Sequence, residues 1–541
     1  MKRFTLILAS LLMLICMKTN AQNQRILLLE SFTNTGCGPC AQYNPGMDAL
    51  IAANPDKLVA IKYHVNWPSA TDPMYLHNTA ENSARVSYYG VNSVPHVVVD
   101  GNRFSGNSGN ITQSIINQLT VIESPMELRL SWELNADQSV VTVYVMGRAS
   151  TAIQGNLKLY VGVIEKEIHF NSAPGPNGER DFYQVMKKLL PNQQGQILGE
   201  YAEGEYFAYS FSWEVANFYN LDQIDAIAWV QNGTSKEVIQ ACGSSDGIEP
   251  FYANEAGLSH LDHVKSLICS GLVNPVVELG NFGSNALTSA ELEVKLNGEV
   301  VKTVEWTGNL PIFVSEKVEL GEFSFPVEDE NFLEVSIKTV NGGADEAAKN
   351  NVVTSNIKSA PETIGKVLKL TIRTDSNPQE TTWQVKNMAT GEIVQQGGPY
   401  DQANHNYTET LEITGDGCYD LTVYDAGGDG LVGGFYGLKA GSATLFSGGD
   451  FADFESNEFS YEVTADVEES FGHTTTVYPN PTSGLLNIVC EGRQKVTLYN
   501  MVGQCVFEDV ADGWLQIDMK AYGAGVYAVQ IGNETQRIVV K

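Results

Sequence analysis

The sequence predicts a multidomain chain in which one α/β domain is followed by several all-β domains of the β-sandwich type. At 541 residues the chain is too long for one hydrophobic core. Through residue 122, apolar strand-like runs alternate with helix-like segments, which is typical of an α/β domain. Beyond that point, turn residues separate short β-branched runs, which favours β-sandwiches.

These changes of pattern predict eight consecutive segments. They are a signal peptide (1–21), the α/β domain (22–122), a β-sandwich (123–247), a linker (248–265), a second β domain (266–360), a third (361–464), a short linker (465–472) and a small C-terminal β domain (473–541).

The first segment has the features of a secretory signal. Lys2 and Arg3 precede an apolar core at 4–17, and small residues ending at Ala21 form a cleavage site. No later stretch is apolar enough to cross a bilayer, so we expect no transmembrane segment in the mature chain.

The charge and cysteine content of the chain limit the kinds of partner and of disulfide that we expect. With 33 basic and 64 acidic residues, the formal charge is −31. Nucleic acid is therefore not expected as a partner, because its phosphates require a positive field. Of the eight cysteines, Cys16 lies in the signal peptide. The remaining seven leave at least one thiol without an intramolecular partner.

The α/β domain contains three apolar runs typical of strands and three segments typical of helices. Because Pro45 lies within the first helical segment, we expect it to kink or interrupt that helix. Strands are predicted at 25–32, 58–65 and 95–102, and helices at 41–54, 74–89 and 111–122.

A Cys-Gly-Pro-Cys motif at residues 37–40 lies at the turn between the first strand and the first helix. The N–H groups of a helix N-terminus stabilise a thiolate at this place, and Pro39 is tolerated in a first helical turn. Three interpretations stay open: a redox dithiol, a structural disulfide, or half of a zinc site. For the zinc site, His64, His77 and His96 lack a ligand spacing.

The order strand, Cys-Gly-Pro-Cys, helix, strand and then Ser-Val-Pro at 93–95 resembles the thioredoxin fold. The resemblance implies a cis peptide bond before Pro95, which packs against the cysteines. It also implies that Cys37 is the exposed attacking thiolate and that Cys40 resolves the mixed disulfide. More narrowly, the Leu-Glu-Ser-Phe-Thr stretch at 29–33 resembles the head of a family of Bacteroidota outer-membrane proteins that carry a β-sandwich after it.

Two positions depart from the thioredoxin pattern. Gly36 stands where that family usually has Trp, and Ser31 stands where it has a buried acid. Glu30 is one residue away from the acid position. Because neighbouring residues of a strand point to opposite faces, we expect Glu30 to face away from the thiols.

The next two β domains are predicted from alternating runs. In the first of them, the polar loop at 175–181 and the pair Lys187-Lys188 are expected to be solvated. Residues 266–360 contain short strand-like runs, with Asn-Phe-Gly-Ser-Asn at 281–285 between two of them, and resemble an immunoglobulin-like bacterial adhesion module. Cys242 and Cys269 flank the linker between these domains, and we hypothesise that they form a disulfide across it.

The third β domain contains the run Gly-Cys-Tyr-Asp-Leu-Thr-Val-Tyr-Asp-Ala-Gly-Gly-Asp-Gly at 417–430 and the run Thr-Asp-Ser-Asn-Pro at 374–378. These runs resemble an accessory β-sandwich found beside secreted bacterial peptidases. Asp425, Asp429 and the following glycine form a tight acidic loop, to which Asp375 or Glu380 could add oxygen ligands for Ca²⁺. The alternative is an Asp/Gly turn held by side-chain-to-backbone hydrogen bonds. Cys418 is expected to be unpaired, since Leu431 and the next residue stand where related domains have a second cysteine.

The C-terminal segment contains Tyr-Pro-Asn-Pro-Thr at 478–482, followed by four short apolar runs. In order and extent it resembles the C-terminal sorting domain of type IX secretion. The resemblance implies that the type IX machinery is a partner. It also implies export through the periplasm to the outer-membrane surface or the medium.

Together these features favour thiol–disulfide exchange on extracytoplasmic protein thiols and disulfides, with no required cofactor. The alternative is a non-enzymatic surface adhesion protein in which the cysteine pair is a structural disulfide. A peptidase is a weaker interpretation, because the sequence has no His-Glu-x-x-His motif.

Overall fold

The computed structural model describes residues 23–463 and 475–541. The signal peptide predicted at 1–21 and the linker predicted at 465–472 lie outside the described residues. The chain divides into two compact units, Met1–Tyr461 and Glu462–Lys541, and strands greatly outnumber helices in the described parts. No helix in residues 23–463 or 475–541 is long and apolar enough to span a membrane.

The N-terminal region alternates strands and helices, as the sequence predicts. Two differences stand out. Pro45 lies within one continuous helix, whose Met47 and Ile51 are anchored in a buried cluster. The predicted helix at 74–89 is two helices, capped by Asp72 and Asn78. The elements are β1 (Leu27–Thr33), α1 (Gly38–Ala52), β2 (Leu58–His64), α2 (Pro73–His77), α3 (Thr79–Tyr89), β3 (His96–Val99), β4 (Phe104–Gly106), a 3₁₀ turn (Ser108–Asn110) and α4 (Gln113–Leu119).

The following region is all-β apart from a 3₁₀ turn at Leu221–Gln223. Its strands are β5 (Met126–Leu134), β6 (Val140–Ala149), β7 (Leu157–His169), β8 (Asp181–Leu190), β9 (Gln196–Leu198), β10 (Tyr206–Glu214), β11 (Ile224–Asn232) and β12 (Val238–Gly243).

One sheet runs through both of these regions. Its order is β12-β11-β7-β8-β2-β1-β3-β4, with β9 added at β7. The junction is the parallel pairing of β2 with β8, where Lys62 lies opposite Val185. The predicted boundary at residue 122 therefore falls between segments that share a sheet. A second sheet, β10-β6-β5, packs over β7 and β11 around a common apolar core.

A third region begins inside the predicted linker at 248–265, since β13 lies there. Its strands form sheets of order β13-β16-β19, β14-β22-β21-β17-β18 and β15-β20 around one core. They are β13 (Ala256–Asp262), β14 (Leu267–Ile268), β15 (Leu272–Val273), β16 (Val276–Asn281), β17 (Leu287–Leu296), β18 (Glu299–Leu310), β19 (Ser315–Glu319), β20 (Phe323–Ser324), β21 (Glu330–Val340) and β22 (Val352–Ser359), with a 3₁₀ turn at Ala348–Asn350.

The last region of the first unit is a two-sheet sandwich. Sheets β23-β31-β28-β25-β26 and β27-β24-β29-β30 enclose an aromatic-rich core that includes Trp383 and Tyr436. The strands are β23 (Glu362–Ile364), β24 (Leu368–Arg373), β25 (Thr381–Asn387), β26 (Ile393–Gly397), β27 (Asn406–Leu411), β28 (Gly417–Asp425), β29 (Phe435–Ala440), β30 (Ala443–Gly448) and β31 (Phe454–Glu462), with a 3₁₀ turn at Pro378–Glu380.

The second unit is a single small β-sheet with its own core. The sheet order is β32-β33-β35-β36, with β34 paired to β33. Cys490 is buried and Cys505 is exposed, and neither forms a disulfide. The strands are β32 (Thr476–Tyr478), β33 (Leu485–Asn500), β34 (Cys505–Asp518), β35 (Gly525–Ile531) and β36 (Glu534–Val540), with a 3₁₀ turn at Met519–Ala521.

Candidate functional site

The candidate site is the disulfide between Cys37 and Cys40, at the junction of β1 and α1. Every residue of β1 is buried, which anchors the strand in the sheet. Cys37 is the N-cap of α1, and its Sγ accepts a hydrogen bond from the N–H of Cys40 at 3.1 Å. Pro39 lies in the first helical turn, where its missing N–H leaves no gap in the helix ladder.

The turn before Cys37 is held from both sides. Asn34 accepts from the N–H of Gly36 at 2.7 Å, and Asp72 accepts from the N–H of Thr35 at 2.7 Å. A Cβ on Gly36 would lie 2.8 Å from the Cβ of Ser69. The segment after β2 therefore occupies the space that a large side chain at position 36 would need.

Burial corrects one expectation. The resemblance to the thioredoxin fold implies that Cys37 is exposed, whereas Cys37 is only 4% exposed and Cys40 is fully buried. The asymmetry between the two sulfurs is thus small in the oxidised state. Only Cys37 has any surface through which another thiol could approach.

Pro95 lies beside the pair because of strand pairing. β3 runs antiparallel to β1 with His96 opposite Phe32, so the segment just before β3 lies next to the end of β1. The Val94–Pro95 peptide bond is cis, and the main-chain oxygen of Val94 is 3.6 Å from Cys37 Sγ. In the dithiol state, the same separation would let the Cys37 thiol donate to Val94.

The two faces of β1 separate Glu30 from the cysteines. Glu30 faces the cluster beyond the sheet, where its carboxylate accepts from Arg85 at 2.6 Å and from Tyr89 at 2.5 Å. Ser31 is fully buried, and its Oγ has no hydrogen-bond partner among the described residues. The residue of β1 that precedes Phe32 on the α1 side of the sheet is therefore an uncharged serine, not a carboxylate.

A loop between β7 and β8 packs against the main chain of the site, and the sequence does not reveal this contact. The N–H of Asn177 donates to Thr35 at 3.2 Å, and its side chain donates to the main-chain oxygen of Cys37 at 3.3 Å. Asn177 is half-buried, although most of the loop at 175–181 is exposed, as the sequence predicts. A Cβ on Gly175 would lie 2.3 Å from the oxygen of Thr35, so the backbones approach closely there.

The same loop brings a carboxyl group to α1. Glu179 accepts from Asn44 at 2.7 Å and from Asn177 at 2.5 Å. Burial raises the pKa of Glu179, although these two hydrogen bonds oppose the shift. Glu179 also lines a groove of about 640 Å³ that runs along α1, and Pro45 and Tyr183 form part of its walls. No local pattern marks Glu179, because it lies 135 residues from its partner Asn44.

The paired lysines after this loop also differ from expectation. Lys187 is buried and bonds to Glu165 at 2.7 Å, and Lys188 bonds to the nearly buried Glu81 at 2.6 Å. Neither is a freely solvated charge. They tie β8 to β7 and to α3, and so support the sheet that carries the site.

The zinc interpretation finds no third ligand within residues 23–463 and 475–541. Neither Cys37 nor Cys40 belongs to a group of three close metal-ligating side chains there. The three histidines have other polar partners: His64 with Asp72, His77 with Lys187 and His96 with Ser105.

A second disulfide links Cys269 to Cys418. This corrects both the hypothesis of a Cys242–Cys269 bond and the expectation that Cys418 is unpaired. Cys242 is a free cysteine, and burial raises its thiol pKa to about 12. Glu458 on β31 accepts from the N–H of Cys269 at 2.7 Å, which fixes the segment that carries the disulfide.

Three of the four predicted calcium ligands lie together. Glu380, Asp425 and Asp429 each present a carboxylate oxygen, and these oxygens lie within 4.8 Å of one another. Asp375 is not in this group. It is buried, and its carboxylate accepts from the N–H of Asn377 at 2.7 Å.

Comparison with known proteins identifies the C-terminal unit. Residues 476–541 match the family model of the secretion system C-terminal sorting domain. The protein is therefore type IX secretion cargo, exported to the outer-membrane surface or the extracellular space. The match confirms the expected localisation and the secretion machinery as a partner. No curated protein matches the chain.

Solved structures give weaker similarities. HBP35 of Porphyromonas gingivalis is 18% identical, with a TM-score of 0.35, over 62% of this chain and 98% of that one. The CARDB domain of PF1109 from Pyrococcus furiosus, in complex with di-metal ions, is 16% identical, with a TM-score of 0.18, over 21% and 95%. A domain of a cell surface protein from Methanosarcina acetivorans is 19% identical, with a TM-score of 0.18, over 20% and 92%. At these scores none of them supports an argument about fold or function.

Proposed function

We propose that this exported protein carries out thiol–disulfide exchange on other exported proteins through Cys37 and Cys40. The observation that carries the proposal is the position of Cys37 as the N-cap of α1. There its sulfur accepts the N–H of Cys40, and the Val94 oxygen is 3.6 Å away. A helix N-terminus stabilises negative charge on a thiolate, which is the nucleophile and the leaving group in exchange.

The proposed fold of this region is thioredoxin-like. Supporting it, the sheet order β2-β1-β3-β4 has β1 and β2 parallel and β3 antiparallel to β1. β4 is antiparallel to β3, α1 follows β1 and α4 follows β4. The extra feature is the continuation of this sheet through β8 into the next region.

The exchange conserves atoms and electrons. A substrate thiolate attacks Cys37 Sγ, the Cys37–Cys40 bond breaks, and Cys40 leaves as a thiolate that takes up a proton. A second thiolate of the substrate then attacks the substrate sulfur of the mixed disulfide, and Cys37 leaves as a thiolate. The substrate gains a disulfide and the protein becomes a dithiol. In isomerisation, reduced Cys37 attacks a substrate disulfide to form a mixed disulfide, and the substrate thiolate is released. Another substrate thiolate then attacks the substrate sulfur of the mixed disulfide and releases Cys37 as a thiolate, so no net electron transfer occurs.

The compartment favours oxidation or isomerisation over reduction. Type IX cargo ends outside the outer membrane, where no glutathione pool keeps thiols reduced. The disulfide is therefore the expected resting form, in agreement with the oxidised pair described above. An extracytoplasmic oxidant would have to restore it after each net oxidation.

One observation favours a second candidate, a non-enzymatic surface protein with a structural disulfide. Cys37 is 4% exposed, and Asn177 holds the loop between β7 and β8 against the main-chain oxygen of Cys37. An exchange mechanism requires a substrate thiol to reach Cys37 Sγ. A structural disulfide needs no such access.

Reactivation of scrambled ribonuclease and reduction of insulin distinguish the two candidates. The full chain is used, because the pairing of β2 with β8 joins the site to the next region. Wild type and the matched control Cys505→Ser, which changes an exposed unpaired cysteine, should be active, and Cys37→Ser should fall to background. Background rates for all three would refute exchange. A lower melting temperature of Cys37→Ser alone would then support the structural disulfide.

A further inference from the structure

Strand pairing brings together a cluster of carboxylates in the two-sheet sandwich that forms the last region of the first unit. β25 and β28 run antiparallel with Thr381 opposite Asp425. Glu380 immediately precedes Thr381, and its main-chain oxygen accepts the N–H of Ala426 at 3.0 Å. The end of one strand and the start of its neighbour thus hold Glu380, Asp425 and Asp429 at one corner of the sandwich.

Asp425 uses only one of its two oxygens to build the loop. Its Oδ2 accepts from the N–H groups of Gly428, Asp429 and Gly430 at 2.7, 3.1 and 3.2 Å. These bonds account for the Asp/Gly turn that the sequence predicts. Its Oδ1 is buried and has no hydrogen-bond partner among the described residues, and the whole residue is only 3% exposed.

Glu380 presents a second oxygen of the same kind. Its Oε2 is buried without a hydrogen-bond partner in the described part of the chain. None of the three carboxylates forms an ion pair with a Lys, Arg or His within those residues. A buried, unsatisfied carboxylate oxygen is costly, and two of them in one cluster with a third acid call for a positive partner.

The backbone leaves room for the cluster. A Cβ on Gly427 would lie 2.5 Å from Glu380 Oε2 and 3.1 Å from Asp429 Oδ1. A side chain at 427 would therefore displace the carboxylates. Asp429 is exposed, so the cluster opens to solvent and an ion can enter from that side.

We propose that Glu380, Asp425 and Asp429 bind a divalent cation, and that this cation is Ca²⁺. The ligand set is entirely carboxylate oxygen, without the nitrogen or sulfur that zinc favours. Ca²⁺ accepts irregular sets of six to eight oxygens, completed by carbonyls and water, whereas Mg²⁺ demands near-ideal octahedral geometry. Extracellular modules bind Ca²⁺ with dissociation constants of about 10⁻⁴–10⁻³ M. The site is separate from the cysteine pair and does not depend on exchange activity.

The test titrates the chelator-treated full chain with CaCl₂ and, separately, with MgCl₂ at equal ionic strength. Calorimetry measures binding and thermal unfolding measures stabilisation. We expect saturable Ca²⁺ binding and a rise in melting temperature of at least about 2 °C that Mg²⁺ does not match. Equal effects of the two ions, or no effect of either, would overturn the proposal.

Variants of the proposed ligands test whether the ion binds at this cluster. Glu380→Gln and Asp429→Asn should each weaken Ca²⁺ binding by about tenfold or more. Glu392→Gln, which changes an exposed acid on another turn of the same sandwich, should bind as wild type does. Without calcium, the first two variants should melt no lower than wild type, because each removes a repelling charge. Wild-type affinity in both would show that the ion binds elsewhere and refute the assignment.

Discussion

At the scale of single residues, the reactivity of the cysteine pair depends on what each face of β1 presents. Cys40 is fully buried, and on the α1 side of β1 both Ser31 and Thr33 carry uncharged hydroxyl groups. Glu30 lies on the opposite face of β1, away from the cysteines. It is fully buried and forms an ion pair with Arg85, which is 1% exposed.

We predict that Glu30→Gln destabilises the protein without altering the chemistry of the cysteines. Loss of the carboxylate leaves the Arg85 guanidinium buried without a counter-charge, which costs about 3–5 kcal/mol. Urea unfolding followed by tyrosine and tryptophan fluorescence measures the loss. The pH profile for reduction of the disulfide by dithiothreitol should match that of wild type.

The double variant Glu30→Gln/Arg85→Met provides the control. Since it removes both charges, it should be more stable than Glu30→Gln alone. A shift of the pH profile in Glu30→Gln would show that Glu30 takes part in proton transfer at the thiols.

At the scale of elements, local patterns and long-range pairings differ in how well the sequence reveals them. β1, the start of α1 and the turn before β3 are encoded in neighbouring residues, and the resemblance to the thioredoxin fold implies that Pro95 packs against Cys37. The faces of β1 follow from the alternation of a strand. The approach of Asn177 to Cys37 spans 140 residues and depends on the pairing of β8 with β2, which no local pattern specifies.

The disulfide between Cys269 and Cys418 has the same origin. Its cysteines are 149 residues apart and lie beside β14 and on β28, strands of different sheets. The acidic cluster is only partly predictable from the local sequence. The loop from Asp425 to Asp429 is local and predictable. The choice between Glu380 and Asp375 depends on the register of β25 against β28.

We predict that the loop carrying Asn177 limits access to the disulfide. Asn177→Ala removes the hydrogen bonds to the main chain of Cys37 and to Glu179, so the loop should open more often. Reduction of Cys37–Cys40 by dithiothreitol should then be severalfold faster, since exchange rates depend on access to the sulfur. Alkylation of the released thiols, followed by mass spectrometry, measures the rate.

Asn192→Ala is the matched control for that change. Asn192 lies in an exposed turn after β8, where its side chain accepts only a local N–H, from Gln194. Its variant should be reduced at the wild-type rate. If Asn177→Ala is also reduced at that rate, the loop does not gate the disulfide.

At the scale of the whole molecule, the regions of the first unit are joined by buried polar contacts as well as by strands. Glu255, just before β13, is fully buried and accepts from Tyr206 on β10 at 2.5 Å. It also accepts from the N–H of Ala347 at 3.0 Å. Burial, followed by a hydrogen bond with Asp345, raises the pKa of Glu255 to about 9. The junction between the second and third regions is thus built around a carboxyl group that is protonated at neutral pH.

We predict that this junction makes the first unit less stable at alkaline pH. Below about pH 4.5, Glu255 is protonated in both the folded and the unfolded chain, and its contribution is fully present. As the pH rises toward 9, the unfolded chain releases the proton while the folded chain keeps it. The free energy of unfolding therefore falls by up to about 1.4 kcal/mol per pH unit, and the contribution is lost above the folded pKa.

Thermal unfolding between pH 5 and 9 isolates this contribution when two variants are compared with wild type. Glu255→Gln keeps the shape of the side chain and cannot ionise, so its melting temperature should fall less with pH. Glu249→Gln changes an exposed acid six positions earlier and should follow the wild-type curve. Since other groups titrate in all three proteins, the difference between curves carries the information. Parallel curves for Glu255→Gln and wild type would mean that Glu255 is already ionised in the folded protein at neutral pH.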